Sequence, residues 1–233
     1  MNTNIQHRKM IEVVAKAIGQ DLLNEVAFVG GCTTGLMLDD PFSMEQVRHT
    51  DDVDLIVHVV GIVQWYSLQE QLRSQGFRES SDEGPICAMK LGELSVDFMP
   101  DDPAILGFCN QWYVDALRTA ENYHLTETVD IRLVLPGYFL ATKFEAYLGR
   151  GQGDALGSRD IEDILMLIDG RTNIVSDVKA APPEIQHYIA NQFHELLGDR
   201  NFEFAVSSSA NGDSAREAVL FERIELITRT HNA

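Results

Sequence analysis

The chain predicts an α+β fold: a small mixed sheet with helices, followed by a mainly helical module. Three observations predict it. Short β-prone apolar runs alternate with amphipathic stretches of helix length through the first half. In the second half, apolar residues recur at helical spacing and strand signals become sparse. The texture changes around 115–135, which divides the chain into a sheet domain, 1–125, and a helical domain, 126–233.

The elements follow in order. Ile5, Met10, Ile11, Val14, Ala15, Ile18, Leu22 and Leu23 define the apolar face of a first helix over 5–24. Ala27–Val29 reads as a short buried strand that ends on Gly30-Gly31. Residues 33–38 predict a helical turn, which Asp39-Asp40-Pro41 breaks. Val53–Val60 is β-branched and apolar, a central strand. Ile62–Gln75 predicts a helix stopped by Gly76. The runs 86–91 and 94–99 flank Gly92-Glu93 and predict a tight hairpin. Residues 104–121 are partly helical, and Val129–Leu135 is extended up to Pro136-Gly137. Helices are then expected over 138–148, 159–168, 183–197 and 215–230, with a polar loop over 206–214.

The bulk properties narrow the functional classes. With 233 residues and 45% hydrophobic content, the chain can bury a real core. No apolar run approaches the ~20 residues that a membrane crossing needs. The N-terminal segment 1–9 lacks the apolar block of a secretory signal, and three widely spaced cysteines predict reduced thiols. Both point to a cytoplasmic protein. A net charge of -18 opposes long-range attraction to phosphate backbones and argues against duplex DNA as the main partner. Lysine is scarce, limited to Lys9, Lys16, Lys90, Lys143 and Lys179, so arginine carries most of the positive charge.

The chemistry is carried by Gly30-Gly31 and by Asp52-Val53-Asp54. Alternate residues of a strand share a face, so Asp52 and Asp54 point the same way. Two acids on one face repel unless a cation lies between them. A hard divalent cation, Mg²⁺ or Mn²⁺, fits oxygen ligands and leaves room for phosphate oxygens. The glycine turn offers backbone N–H groups to the same phosphates. Asp97, on a later predicted strand, is the third acid. Three such carboxylates can hold one or two metal ions, align an attacking hydroxyl with an α-phosphate, and neutralise a departing pyrophosphate. Asp97 is also placed to take the proton of the acceptor hydroxyl.

A glycine turn after a strand, then Asp-x-Asp at the head of the next, then a later strand acid resembles the DNA polymerase β-like nucleotidyltransferases. The segment Arg48-His49-Thr50-Asp51-Asp52-Val53-Asp54-Leu55 resembles the R-x-T-x-D-x-D-L form of the AbiEii-type members, toxins of abortive-infection and toxin–antitoxin systems. Lys143, within Leu140–Leu148, and Arg159-Asp160-Ile161-Glu162-Asp163 resemble that group's later lysine helix and acidic helix start. The resemblance spans roughly residues 25–170, and the longer gap between Gly31 and Asp52 reads as a loop insertion over 39–46 near the mouth of the site. It implies transfer of NMP from an NTP to an acceptor. In this reading Asp52, Asp54 and Asp97 are catalytic and bind metal, and Gly30, Gly31 and Lys143 hold phosphates, with Arg150 assisting. Asp160 orients Lys143 and Asp163 does similar work. Thr33 and Thr34 offer hydroxyls to phosphate or base. The stretch 149–153 is a flexible loop that closes over nucleotide.

The acceptor stays open between tRNA, a protein and a small molecule. An AbiEii-like role implies an antitoxin protein as partner. A small-molecule enzyme similar to aminoglycoside adenylyltransferases would use an acidic pocket, lined by Asp39-Asp40 and Asp101-Asp102, for a polycationic sugar. A non-catalytic nucleotide- or protein-binding module of the same fold is the third reading. Cys32 lacks an evident base. The histidines show no ligand spacing and read as structural or exposed. Trp65, Tyr66, Trp112 and Tyr113 read as core or interface packing.

Overall fold

The computed structural model describes residues 2–79, 86–151 and 153–229. The fold is α+β, built around a seven-stranded mixed sheet. The described chain divides into two compact units, 1–36 with 48–135, and 37–47 with 136–233.

The first unit holds the sheet. Its strands are β1 (Ala27–Val29), β2 (Asp52–Val57), β3 (Arg78–Glu79), β4 (Ala88–Leu91), β5 (Leu94–Pro100), β6 (Glu121–Thr126) and β7 (Val129–Leu133). They lie in the order β3-β4-β5-β2-β1-β7-β6. Its helices are α1 (Thr3–Leu23), α3 (Gly61–Ser74), α4 (Pro103–Leu106) and α5 (Tyr113–Thr119), with a 3-10 helix at Gly31–Leu36. β2 and β5 run parallel, which requires a crossover, supplied by α3 and the β3–β4 segment. β1 is antiparallel to β2 and parallel to β7. The alternation in β2 is the expected one: Val53 and Leu55 are buried while Asp52 and Asp54 are half-buried. The edge-to-face pair Phe77–Phe98, centroids 5.4 Å apart, lies in the core.

α1 carries the predicted apolar stripe and is capped by the Asn2 side chain, which accepts from the backbone of Asn4 and Ile5. It kinks at Gly19, where φ is 74°. The carbonyl of Ile18 there accepts from Gln75 Nε2 at 2.6 Å.

The second unit is helical: α2 (Pro41–Glu45), α6 (Pro136–Arg150), α7 (Arg159–Gly170), α8 (Ile174–Ala180), α9 (Pro183–Leu196), α10 (Arg200–Ser209) and α11 (Ser214–Thr228). Phe144, Phe193 and Phe202 form its aromatic centre, with ring centroids 5.0 Å apart for Phe144–Phe193 and 6.5 Å for Phe193–Phe202. No helix among the described residues is long and apolar enough to cross a membrane.

Several expectations need correction. The boundary at 125 is too early, because β7 is hydrogen-bonded to β1 and β6 and belongs to the sheet. The segment 39–46 is not a loop insertion. Asp40 caps α2 by accepting from Ser43 N, Pro41 occupies the first turn, and α2 packs on α7. That contact is fastened by Arg216, whose guanidinium donates to Asp169 at 2.7 Å, to Ser43 Oγ at 2.8 Å and to Asp40. The hydroxyl and backbone N–H of Ser43, with Arg216, hold the Asp40 carboxyl down at about 2. The expected loop at 206–214 is helical up to Ser209, and Val206 is fully buried in α10. Gly149 and Arg150 continue α6 rather than opening a loop. Gln152 of that stretch, and Thr230 at the expected end of the last helix, lie outside the described residues.

Candidate metal centre

Strand pairing brings the three acids together. In the parallel β2–β5 ladder, Asp54 lies directly beside Asp97, and Asp52 beside Ser95. Residues paired in this way share a sheet face, so all three carboxylates project from one side. One carboxylate oxygen from each lies within 4.8 Å of the others. That spacing suits oxygens gathered around a hard cation, whose metal–oxygen bonds are about 2.0–2.6 Å.

The glycine turn closes one flank. β1 sets Val29 opposite Asp54, and the chain leaves the strand at Gly30 with φ of 80°. A Cβ on Gly30 would sit 1.8 Å from Asp54 Oδ2 and 2.6 Å from Asp54 Cγ. Glycine is required here twice over, for the left-handed backbone and for the space given to the carboxylate. Gly31 opens the 3-10 helix, and both Thr33 and Thr34 are buried within it. Thr33 Oγ1 donates to the Gly30 carbonyl at 2.8 Å, so this hydroxyl tightens the turn. Thr34 Oγ1 is buried with no hydrogen-bond partner among the described residues.

The electrostatics agree with a concentrated negative field. Burial pushes the Cys32 thiol well up, and Asp54 and Asp52 push it further. Burial, then Asp97 and Asp54, raise Cys87 to about 12. Both thiols stay protonated at neutral pH, which removes Cys32 as a nucleophile.

Of two further groups near the acids, Thr50 entered the sequence reading only within the R-x-T-x-D-x-D-L segment, and Lys90 was given no role there. Thr50 Oγ1 donates to Asp52 Oδ1, and Thr50 N donates to His7 Nε2 at 3.3 Å. Lys90 is opposite Ser95, which is beside Asp52, so Lys90 shares the face of the triad. Its Nζ donates to Ser95 Oγ at 2.7 Å.

The remaining expected site residues lie in the helical unit. Lys143 Nζ is 2.6 Å from Asp163 Oδ2 and 3.3 Å from Asp160 Oδ1, and all three side chains are buried. Arg150 grips Asp160 with Nε at 2.9 Å and Nη2 at 2.8 Å. Burial alone would raise the Asp160 carboxyl, but Arg150 and Lys143 outweigh it and the net direction is down.

The acid pairs considered as pocket lining are engaged in local structure. Asp39 accepts from the backbone and hydroxyl of Thr172. Asp101 accepts from Val59 N and pairs with His58, and Asp102 caps α4 while accepting from Gly61 N. Of the aromatics, Trp65 is buried and Tyr66 is exposed. A comparison with family models finds no match, and a comparison with curated proteins finds none either.

Proposed function

We propose that this protein is a divalent-metal-dependent nucleotidyltransferase with a polymerase β-like palm, transferring NMP from an NTP to a hydroxyl or phosphate acceptor. The observation that carries the reading is the convergence of Asp52, Asp54 and Asp97 beside the Gly30 turn. Mg²⁺ or Mn²⁺, when bound, would supply charge neutralisation for the triphosphate. The three carboxylates would hold it, and Gly30 keeps a side chain out of the space that the Asp54 carboxylate needs. Asp97 takes the proton as the acceptor oxygen bonds to the α-phosphorus. The bond from that phosphorus to the bridging oxygen breaks, and pyrophosphate leaves. Backbone N–H groups at Gly30 and Gly31 would hold the phosphates. Within the helical unit, Lys143 pairs with Asp160 and Asp163, and Arg150 holds Asp160.

The proposal covers tRNA, protein and small-molecule acceptors, with a neutralising antitoxin protein as partner in the AbiEii-like case. The acid pairs named for the aminoglycoside-like variant, Asp39-Asp40 and Asp101-Asp102, also serve as caps and ion pairs.

The assay incubates the full chain with each α-labelled NTP, Mg²⁺, and either total tRNA, a protein extract or an aminoglycoside. Label is expected to move into one acceptor fraction with Mg²⁺ and to stay in the NTP with a chelator. Failure to bind any NTP by calorimetry with Mg²⁺ present, together with no transfer, would contradict the proposal and favour a non-catalytic module.

A further inference from the structure

We propose that His7 and Thr50 are positioning residues that fix the Asp52 carboxylate for cation binding, an inference that rests on the metal site proposed above. Asp52 is the first residue of β2, so the ladder holds it from one direction only. The orientation of its carboxylate must be set from outside the strand. Thr50 does this directly, donating its hydroxyl to Asp52 Oδ1.

Thr50 is in turn held by a residue distant in sequence. His7 is fully buried on α1, and its Nε2 accepts the Thr50 backbone N–H at 3.3 Å. An accepting Nε2 means a neutral ring with its proton on Nδ1. The Nε2 atom of this buried histidine is used in a hydrogen bond to the loop that enters the site.

The histidine is itself well anchored. Its carbonyl lies 3.8 Å from Cys32 Sγ, next to Gly31. The adjacent Arg8 donates to Tyr123 Oη at 2.9 Å, tying this turn of α1 to β6. The His49 ring stacks on His7 with centroids 6.2 Å apart and planes at 26°. His49 Nε2 also pairs with Asp51 Oδ1 at 2.8 Å. Residues 49–51 are therefore pinned on both sides of Thr50. Groups that orient a ligand rather than touch the metal commonly govern affinity as well as geometry.

The test measures Mn²⁺ affinity of the full chain by electron paramagnetic resonance, with thermal unfolding alongside. His7→Leu and Thr50→Val are each expected to weaken Mn²⁺ binding about tenfold, the lower end of the effect of such orienting groups. His7→Gln, which can place an oxygen near the Nε2 position, and Thr50→Ser are expected to stay close to wild type. A purely structural role would lower the melting temperature without separating the conservative from the non-conservative variants in affinity. If His7→Leu fails to fold, Thr50→Val decides. Wild-type affinity in Thr50→Val, or equal losses in all four variants, overturns the inference. If the wild-type chain binds no Mn²⁺, the metal-dependent reading fails and takes this inference with it. If the wild type binds and the variants match it, only this inference fails.

Discussion

Gly30→Ala is expected to weaken divalent-cation binding by at least about 100-fold, beyond what loss of a merely orienting group costs, and to abolish nucleotidyl transfer. The added Cβ would meet Asp54 Oδ2 at 1.8 Å, Cγ at 2.6 Å and Cβ at 2.9 Å. Moving the carboxyl oxygen alone does not relieve the last two contacts, so the whole Asp54 side chain must turn away. Asp54 lies between Val29 and Asp97 in the sheet, and its displacement dissolves the three-way contact. The backbone adds its own cost, because a φ of 80° is unfavourable for alanine by about 1–2 kcal/mol. The chain should still fold, since the sheet continues on both sides of the turn. Calorimetric titration with Mn²⁺ checks the affinity, and circular dichroism checks the fold. Wild-type affinity in this variant would mean that Asp54 is not a ligand.

Lys143→Met is expected to cost about 3–5 kcal/mol of stability, the range for removing one partner from a buried ion pair. The substitution keeps the length of the side chain and deletes its charge. Asp160 keeps Arg150, but the buried Asp163 carboxylate loses a partner 2.6 Å away. Urea unfolding read by circular dichroism suits this measurement. Both tryptophans, Trp65 and Trp112, lie in the sheet unit and report poorly on the helical one. Adding Asp163→Asn to Lys143→Met should recover part of the loss, since the buried carboxylate that faced Lys143 is then neutral. A loss below about 1 kcal/mol, the value of an exposed pair, would mean that the buried cluster contributes little.

The sequence exposes local pattern well and long-range register poorly. Asp52 and Asp54 were legible as neighbours on one face because strand periodicity needs only adjacent residues. The hairpin around Gly92-Glu93 was legible because its turn and its two apolar runs are contiguous. That Asp97 would stand beside Asp54 depends on a parallel pairing across 43 positions, which no local signal fixes. α2 was misread because Asp40-Pro41 looks like a breaker, yet a capping acid followed by proline is also how helices start. α10 was hidden by its polar end, Ser207-Ser208-Ser209, although Phe202, Ala205 and Val206 mark its buried face. β6 escaped because Glu121–Thr126 is mostly exposed and lacks a clean apolar alternation. His7 gave no warning at all. It sits within an ordinary amphipathic helix, and only the fold places Thr50 against it.

The proposed cation site is formed by three carboxylates on adjacent strands. Crystals of the full chain grown or soaked with Mn²⁺, with data collected for anomalous scattering, would show whether a cation binds there. One or two anomalous peaks are expected, bounded by carboxylate oxygens of Asp52, Asp54 and Asp97 at about 2.1 Å, in the range for small hard cations. An ordered structure at millimolar Mn²⁺ with no peak among these residues would contradict it.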